Sequence, residues 1–382
     1  MSDLDAFRNL PEINFIDNTT LEQIKGEMIK DYQDMYQELT GETKILYPAD
    51  PYRILINAVA LQLFQGLEYI NRAGKDNLLR YASGLFLDHL GSLKNVIRLE
   101  ASPSQATIRF TSSGYNEVIS IPKGTRVTAG DNIFFATDVY VEIPKNKDYV
   151  EVSATCLQSG IDGNKYEVGQ LNVLADPIAY INSVSNVSKA VGGADVESDD
   201  SLRERIFLAP SSYSVAGPID AYIFWTKSYK SSISDVYVYS PTPGDVEIYI
   251  ILQDGVLPNK AFLENLSDFL ANKKIRPLTD NVTVNAASVI YFEINLTYYI
   301  SDNNISHVAQ IRDNVTNAVE NYINWQKSRI GRDINSSELI KRIVEAGAKR
   351  VDIITPIFTK IDKNEVAVCI NSIINYGGLE SD

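Results

Sequence analysis

The middle of the chain carries the sequence GGADVESDDSLRER, which runs from Gly192 to Arg205. Ser198 or Asp199 can cap a helix here by accepting a hydrogen bond from an amide of the first turn. Asp199 and Asp200 then lie at the positive end of the helix dipole, where carboxylates are stabilising. The stretch therefore predicts a helix that begins just after a glycine pair.

Asp199 and Arg203 are four residues apart in the favoured order, with the acid before the base. This spacing predicts an ion pair on one face of the helix. Gly192 and Gly193 precede the helix and predict a flexible hinge. We interpret Gly192, Gly193, Asp199 and Arg203 as a junction between two halves of the protein.

The same acidic run resembles the start of a calcium-binding loop, because Asp195, Glu197 and Asp199 alternate along it. An EF-hand loop would need a glycine at position 200 and a glutamate at position 206. Asp200 and Ile206 stand there instead. The pattern excludes this metal site, and we predict no metal and no cofactor.

Composition places the chain among packed globular proteins. It has 382 residues, of which 45% are hydrophobic and 22% are charged, a length that suits two or three domains. The formal net charge is −14 and there is no long Lys/Arg cluster. Nucleic acid and anionic membranes are therefore not expected as partners.

The cysteines, the N-terminal residues and the apolar runs indicate the cellular compartment in which the protein is made. Cys156 and Cys369 are far apart and form no CxxC motif, so a disulfide framework is excluded. Met1–Asp5 is acidic and predicts no signal peptide. The longest uncharged run among the predicted helices, Ile54–Leu67, is too short to span a membrane. We expect the protein to be made in a reducing cytoplasm.

The first hundred residues predict helices. Thr19 or Thr20 can cap a helix that runs to Thr40, where Gly41 ends it. A second helix is predicted from Pro51 to about Arg72, with Gly74 beyond its end.

This second helix is apolar on two faces. One face carries Ile56, Val59, Ala60, Leu63, Leu67 and Ile70, and the other carries Ile54, Leu61 and Phe64. Both faces must be covered, either by other helices of this chain or by a partner subunit. All of these residues except Ala60 are our candidates for a subunit interface.

Downstream the pattern changes twice. Period-two segments such as Thr107–Thr111 and Tyr149–Val152 predict a β-rich domain over residues 101–191. Strands then alternate with helices, up to a last strand at Glu365–Ile370, which predicts one or two small α+β sandwiches. The predicted fold class is multidomain α+β, divided as a helical region at 1–100, a β-rich domain at 101–191 and α+β domains at 192–287 and 288–382.

Known catalytic patterns are missing from the sequence. His89 and His307 have no acidic or cysteine partner at ligand spacing, and the usual hydrolase, metalloprotease and nucleotide-binding motifs do not occur. Five tyrosines between Tyr213 and Tyr239 can stack on sugars, but tyrosine is also common in cores and at protein interfaces. We therefore expect a protein that is not an enzyme.

An ordered set of motifs resembles the baseplate J family, the wedge proteins of contractile phage tails and related tail-like particles. The matching pieces are Gly84–Gly91 with Arg98, Ile121–Thr125, Phe135–Thr137, Gly160 with Gly163 and Asn164, Val184 with Asn186, Gly192–Arg205, Gly217 and Pro243-Gly244. The likeness covers roughly residues 80–300 and is strongest at Gly192–Arg205.

This resemblance implies a structural subunit in the baseplate of a virion, a bacteriocin or an injection particle. Its expected partners are a second copy of itself, a smaller wedge protein, and the sheath-initiator and spike or hub proteins. The implied mechanism is a change of conformation of the ring that triggers sheath contraction. Two rival hypotheses remain at this point: a receptor-binding or glycan-binding tail module, and a wall-degrading enzyme.

Overall fold

The computed structural model describes residues 6–7, 9–112, 114, 117–214, 217–271, 277 and 279–381. The prediction for Met1–Asp5 lies outside these residues. The contacts divide the chain into two compact units, Met1–Ile97 with Asp199–Phe207 and Arg98–Ser198 with Leu208–Asp382. Across the described residues, no helix combines the length and the apolar character needed to cross a bilayer.

The first unit is helical. Its helices are α1 (Leu21–Thr40), α2 (Pro51–Lys75), α3 (Gly84–Ser92) and α4 (Asp199–Leu208), whose last residue belongs to the second unit. Thr20 caps α1 through a reciprocal bond with Gln23, and Gly41 ends it with a φ of 76°, as the sequence predicts. Helix α2 runs three residues past the predicted Arg72.

The placement of α4 corrects the predicted domain boundary at residue 192. That boundary assigned α4 to the third domain, whereas its contacts assign it to the unit of the N-terminal helices. The reason is that Leu202 and Ile206 are buried in this unit, and Ile206 packs where Gly91 has no side chain. The other predicted boundaries stay predictions.

The second unit begins with a β-rich region. Its strands are β1 (Pro103–Ser112), β2 (Ile119–Ile121), β3 (Arg126–Thr128), β4 (Phe134–Thr137), β5 (Val141–Ile143), β6 (Tyr149–Ser159), β7 (Val173–Leu174) and β8 (Ile181–Asn186). Six strands form an antiparallel sheet in the order β7-β3-β4-β6-β1-β8, and β2 pairs with β5. The end strands β7 and β8 lie side by side, so the sheet nearly closes into a barrel. Its core includes Phe110, Phe135 and Leu171.

Two three-stranded sheets with helices follow. The first has the order β11-β10-β9 and combines α5 (Ile219–Lys227), β9 (Ile233–Tyr239), β10 (Asp245–Leu252), α6 (Lys260–Leu270) and β11 (Asn281–Ala286). The second has the order β13-β12-β14 and combines β12 (Ser288–Ser301), α7 (Val308–Lys327), α8 (Ser336–Glu345), β13 (Arg350–Thr355) and β14 (Glu365–Glu380). Mixed helices and strands therefore confirm the predicted α+β class, and β14 extends ten residues beyond the predicted Ile370.

The two sheets share a small apolar core. Ile251, Ala287, Ile330 and Val366 are buried together between them. The Asp235 carboxylate accepts a hydrogen bond from the Ile330 amide at 2.8 Å. Burial raises the pKa of Asp235. The contact fixes the C-terminal sandwich to the middle one through both apolar and polar groups.

The barrel contains a hydrogen-bonded carboxylate, that of Asp131, whose contribution to stability depends on pH. The Tyr166 hydroxyl donates to Asp131 at 2.6 Å, and Lys165 lies 3.1 Å from the same carboxylate. The bond from Tyr166 and the charge of Lys165 lower the pKa of Asp131 to about 2. A carboxylate whose pKa is lower in the folded state stabilises the fold above its unfolded pKa of about 3.9, and the effect disappears as the pH falls towards 2.

We predict that Asp131→Asn lowers the free energy of unfolding of the barrel by about 1 kcal/mol at pH 6, because Tyr166 loses a charged acceptor that solvent partly screens. Denaturant unfolding at several pH values measures the difference from the wild type, which should shrink between pH 4 and pH 2. The exposed Asp148 provides the control Asp148→Asn. An Asp131→Asn deficit of the same size at pH 2 and pH 6 would contradict the assignment.

Candidate interface and junction site

The predicted junction begins with a close crossing of two backbone segments. The Asn164 amide donates to the Gly193 carbonyl at 2.8 Å, and its oxygen accepts from the Gly193 amide at 3.0 Å. A Cβ at Gly193 would collide with the carbonyl oxygen of Gly160 and the hydroxyl of Ser104. At Gly192 the backbone has a φ of 85°, and a Cβ would meet the ring of Phe262.

These contacts correct the interpretation of a flexible hinge. Gly192 and Gly193 are buried, and the Ser102 hydroxyl donates to the Gly192 carbonyl at 3.1 Å. Ser102 and Ala194 also exchange two backbone hydrogen bonds. Close packing, and not freedom of rotation, therefore requires the two glycines.

The next residues join the two segments by which the chain enters and leaves the second unit. Leu99 donates to the Glu197 carboxylate at 3.0 Å, and the Glu197 amide donates back to the Leu99 carbonyl. Arg98 donates to the Glu197 carbonyl at 2.7 Å. Glu197 is buried, and its carboxylate, amide and carbonyl together link these two segments.

The acidic helix start has different partners from those predicted. Arg203 forms its ion pair with Asp200, three residues before it, and donates to the carbonyls of Leu79 and Ala82, at 2.9 Å each. Asp199 accepts the Gly84 amide at 3.0 Å, at the start of α3. The predicted Asp199–Arg203 pair is therefore corrected. Asp199 faces another helix, because tertiary contacts compete with the local pairing.

A cavity of about 390 Å³ lies beside the glycine crossing. Its lining includes Lys165, Lys189, Asp195 and Asp254, together with Ser232. The Ser232 hydroxyl is buried and makes no hydrogen bond to the described residues. Over the same part of the chain, no group of three or more His, Cys, Asp or Glu side chains could hold a metal.

The remaining candidate groups for chemistry lie apart from this cavity. His89 and His307 are exposed, and burial raises the pKa of both cysteine thiols. Tyr222 is buried, whereas Tyr213 and Tyr239 are exposed. Tyr237 stacks on Tyr239 with their ring centroids 6.5 Å apart.

The predicted interface helix α2 packs against α1 with one face. Ala60 and Asn71 of α2 are buried, and the Asn71 side-chain oxygen accepts a hydrogen bond from the Phe15 amide at 3.1 Å. Phe64 and Leu67 are half-buried, whereas Ile54 and Leu61 are exposed. Tyr32 of α1 stacks on Tyr52 of α2 at 5.8 Å.

The rest of α2 is unusually apolar and exposed. The exposed fractions are 57% for Ile54, 42% for Val59, 41% for Leu61, 51% for Leu63 and 60% for Ile70. We define the heptad seam as Ile56, Val59, Leu63, Gly66, Ile70 and Ala73, whose spacings are 3, 4, 3, 4 and 3 residues. This is the spacing of a coiled-coil seam. Gly66 and Ala73 are not among the predicted interface residues, because they are small rather than strongly apolar.

Two family models match the second unit. The Baseplate J-like protein barrel domain matches residues 107–193, and the Baseplate J-like central domain matches residues 214–286. The chain therefore contains two baseplate J-like domains. The first match begins within β1 and ends at Gly193, and the second ends with β11. These matches confirm the predicted resemblance to the baseplate J family.

Individual relatives agree with this family assignment. Baseplate protein J of Escherichia phage P2 is 29% identical over 187 residues, which cover 48% of this chain and 61% of that protein. The chain thus spans less than two thirds of that relative. Baseplate protein gp47 of Escherichia phage Mu is 23% identical over 269 residues, covering 67% of this chain and 71% of that protein.

A solved structure of the anti-feeding prophage baseplate also aligns with the chain. The alignment covers 93% of this chain and 91% of that chain, at 12% identity and a TM-score of 0.35. A superposition at that score supports no argument about the arrangement of the domains.

Because the crossing is tightly packed, we predict that one methyl group added at Gly193 strongly destabilises the second unit. We expect Gly193→Ala to lower the free energy of unfolding of the second unit by about 2 kcal/mol or more, because the Cβ meets backbone that cannot move aside easily. Thermal unfolding measured by circular dichroism tests this. Gly26→Ala in α1 is the matched control, because its Cβ meets nothing within 4 Å. Equal melting temperatures for Gly193→Ala and the wild type would disprove the steric explanation.

Proposed function

We propose that the chain is a non-enzymatic structural subunit of a baseplate wedge, and that it assembles through the heptad seam of α2. The seam is the observation that carries the proposal, since large exposed apolar surfaces mark sites of association. Similarity to the baseplate proteins of phages P2 and Mu supports a role in a baseplate. The location proposed is the baseplate of a virion or tail-like particle, with assembly in the bacterial cytoplasm.

The composition of the seam favours a helix as its partner. Residues spaced alternately by three and four positions lie on one stripe of a helix and fit between the side chains of a second helix. Gly66 lies within the stripe, and a Cβ there would meet nothing within 4 Å. A glycine inside a helix costs about 1 kcal/mol relative to alanine, and no contact with the described residues accounts for it. Close approach of a partner helix would explain it.

A second copy of α2 is chemically compatible with the seam. Residues Ile54–Leu67 carry no charge, so two such helices meet without repulsion between like charges. Ile54 and Leu61 lie on another side of α2 and provide a contact for a smaller helical wedge protein. Both sides together would build a bundle of α1, α2 and partner helices.

Further partners belong to the same proposal. The C-terminal sandwich would contact the neighbouring wedge and close a ring around the spike or hub proteins, next to the sheath-initiator protein. The ring would trigger sheath contraction by repacking its interfaces between two states, as bistable assemblies do. The rigid crossing at Gly193 favours movement between subunits over bending at the glycine pair.

We predict that Leu63→Asp abolishes assembly of the wedge and leaves the two sandwiches folded. The substitution buries an unpaired carboxylate in the seam, which costs several kcal/mol and lowers the affinity by about a hundredfold or more. Light scattering of the purified chain and electron microscopy of particles from the producing bacterium measure the effect. Leu93→Asp is the matched control, since Leu93 is 79% exposed and lies outside α2. Normal particles from Leu63→Asp would refute the assignment of the seam.

We predict opposite effects of Gly66→Ala on the monomer and on the assembly. The isolated chain should gain up to about 1 kcal/mol of helix stability, whereas assembly should weaken because the methyl group holds the partner helix away. Thermal unfolding and light scattering measure the two effects separately, with Gly26→Ala as the control. A variant that is both more stable and better at assembling would show that no helix approaches Gly66.

A further inference from the structure

The segment that joins α1 to α2 carries a lysine held against aromatic rings. The Lys44 ammonium lies 5.8 Å from the ring centroid of Tyr36, in α1, and 5.5 Å from the ring centroid of Tyr52, in α2. Both distances are within the range over which the face of an aromatic ring attracts a cation. One positive charge therefore contacts both helices.

A third ring completes this cluster. Tyr32 of α1 stacks on Tyr52 with the ring centroids 5.8 Å apart, and on Tyr36 with the centroids 6.3 Å apart. We call Tyr32, Tyr36 and Tyr52 the tyrosine cage. In the part of the chain that the structure describes, Lys44 forms no ion pair, so the rings are the groups that attract its charge.

The backbone next to Lys44 is attached to both helices. Gln33 of α1 donates a hydrogen bond to the Lys44 carbonyl at 2.9 Å, and Arg53 of α2 donates one to the Leu46 carbonyl at 2.9 Å. The Leu46 side chain is buried. Because this backbone is already fixed, less conformational entropy is lost when the Lys44 side chain contacts the rings.

Burial of side chains contributes little to the pairing of α1 with α2. All 20 residues of α1 are described, and Ile24, close to its beginning, is the one that is buried. In α2 the buried residues are Ala60 and Asn71. Since packing of buried side chains usually supplies most of the stability of paired helices, the contacts at the tyrosine cage matter more here than they would in a well-packed pair.

Tyr52 also continues the spacing of the heptad seam. It lies four positions before Ile56, and Val59 follows three positions later, which is the alternation that defines the seam. The Tyr52 side chain is 52% exposed. The same residue therefore contacts Lys44 and borders the surface proposed for assembly.

We propose that the tyrosine cage is a cation-binding site filled by Lys44 of the same chain, and that the filled cage fixes the beginning of α2 for assembly. The site takes an alkylammonium or guanidinium ion, because tyrosine faces attract positive charge. A helix that is fixed in advance loses less entropy when it binds a partner. The second part of the proposal rests on the proposed function of the heptad seam, whereas the first part does not.

Amide hydrogen exchange of the full chain, read by mass spectrometry in peptides from residues 41–56, tests the cation site. We expect Lys44→Met, which keeps an apolar stem without the charge, to speed exchange about fivefold, and Lys44→Arg to change it less than twofold. Lys30→Met is the matched control, since Lys30 is an exposed lysine of α1. Equal exchange in Lys44→Met and Lys30→Met, or equal effects of methionine and arginine at position 44, would overturn the site.

A double substitution tests whether the charge acts through the rings. Groups in direct contact are coupled, so removing one reduces the effect of removing the other. The effect of Lys44→Met on exchange should fall from about fivefold to about twofold when Tyr36→Leu has already removed one of the two rings under the ammonium. An undiminished effect would show that Lys44 acts elsewhere and would contradict the cage.

The same measurements in a Leu63→Asp background separate the cage from the proposed function. The differences in exchange should persist there, because the cage lies within a single chain, and their loss would overturn the site. Normal assembly of Leu63→Asp with these differences retained supports the cation site and counts against the seam alone.

Light scattering with Leu63 intact tests the second part of the proposal. Lys44→Met should weaken assembly about fivefold, and Lys44→Arg should leave it within twofold of the wild type, since a less ordered α2 must be fixed at the moment of binding. Unchanged assembly of Lys44→Met, together with its faster exchange, would refute the positioning role.

Discussion

The second unit depends on the contact between Gly193 and the turn at Gly160–Asn164. The Asn164 side chain bonds to both the amide and the carbonyl of Gly193, so it substitutes for a neighbouring strand at a point where the chain leaves the barrel. Only a residue without a Cβ fits, because the Gly160 carbonyl and the Ser104 hydroxyl occupy the space. Two segments 29 positions apart in the sequence are thereby fixed at backbone contact.

That crossing determines the course of the following residues. Ala194 pairs with Ser102, and Glu197 pairs with Leu99, so the segment that leaves the unit runs beside the segment that entered it. Two passages of the chain are therefore held together by backbone bonds and one buried carboxylate. The glycines and the acid are explained by packing, and no metal or catalytic group is needed to account for them.

The features proposed for function lie on surfaces and not in a pocket. Helix α2 exposes an apolar seam in a chain whose net charge of −14 otherwise favours solubility. Catalysis needs groups whose positions and pKa values are tuned within a cleft. Assembly needs complementary surfaces, such as the exposed side chains of the seam.

The sequence by itself determined the elements whose causes are local. The Thr20 cap, the Gly41 end of α1, the start of α2 at Pro51 and the mixed α+β class follow from residue type and spacing. The ordered motifs that include Gly192–Arg205 also predicted the resemblance to the baseplate J family, which the matches at residues 107–193 and 214–286 confirm. Helical periodicity placed Val59, Leu63 and Ile70 on one stripe of α2, and these three side chains are exposed together.

Only the tertiary structure decided the rest. Periodicity cannot show which apolar side chains of α2 are covered, so the partial burial of Phe64 and the exposure of Leu63 had to be observed. Arg203 pairs with Asp200 and with carbonyls more than 120 positions away, which no local rule predicts. The Asn and Gly residues after Ile370 resemble a turn, yet they form a strand because β12 supplies its hydrogen-bond partners. In each case distant contacts outweigh local preference, since a buried face or a strand ladder contributes more free energy than the intrinsic propensity of its residues.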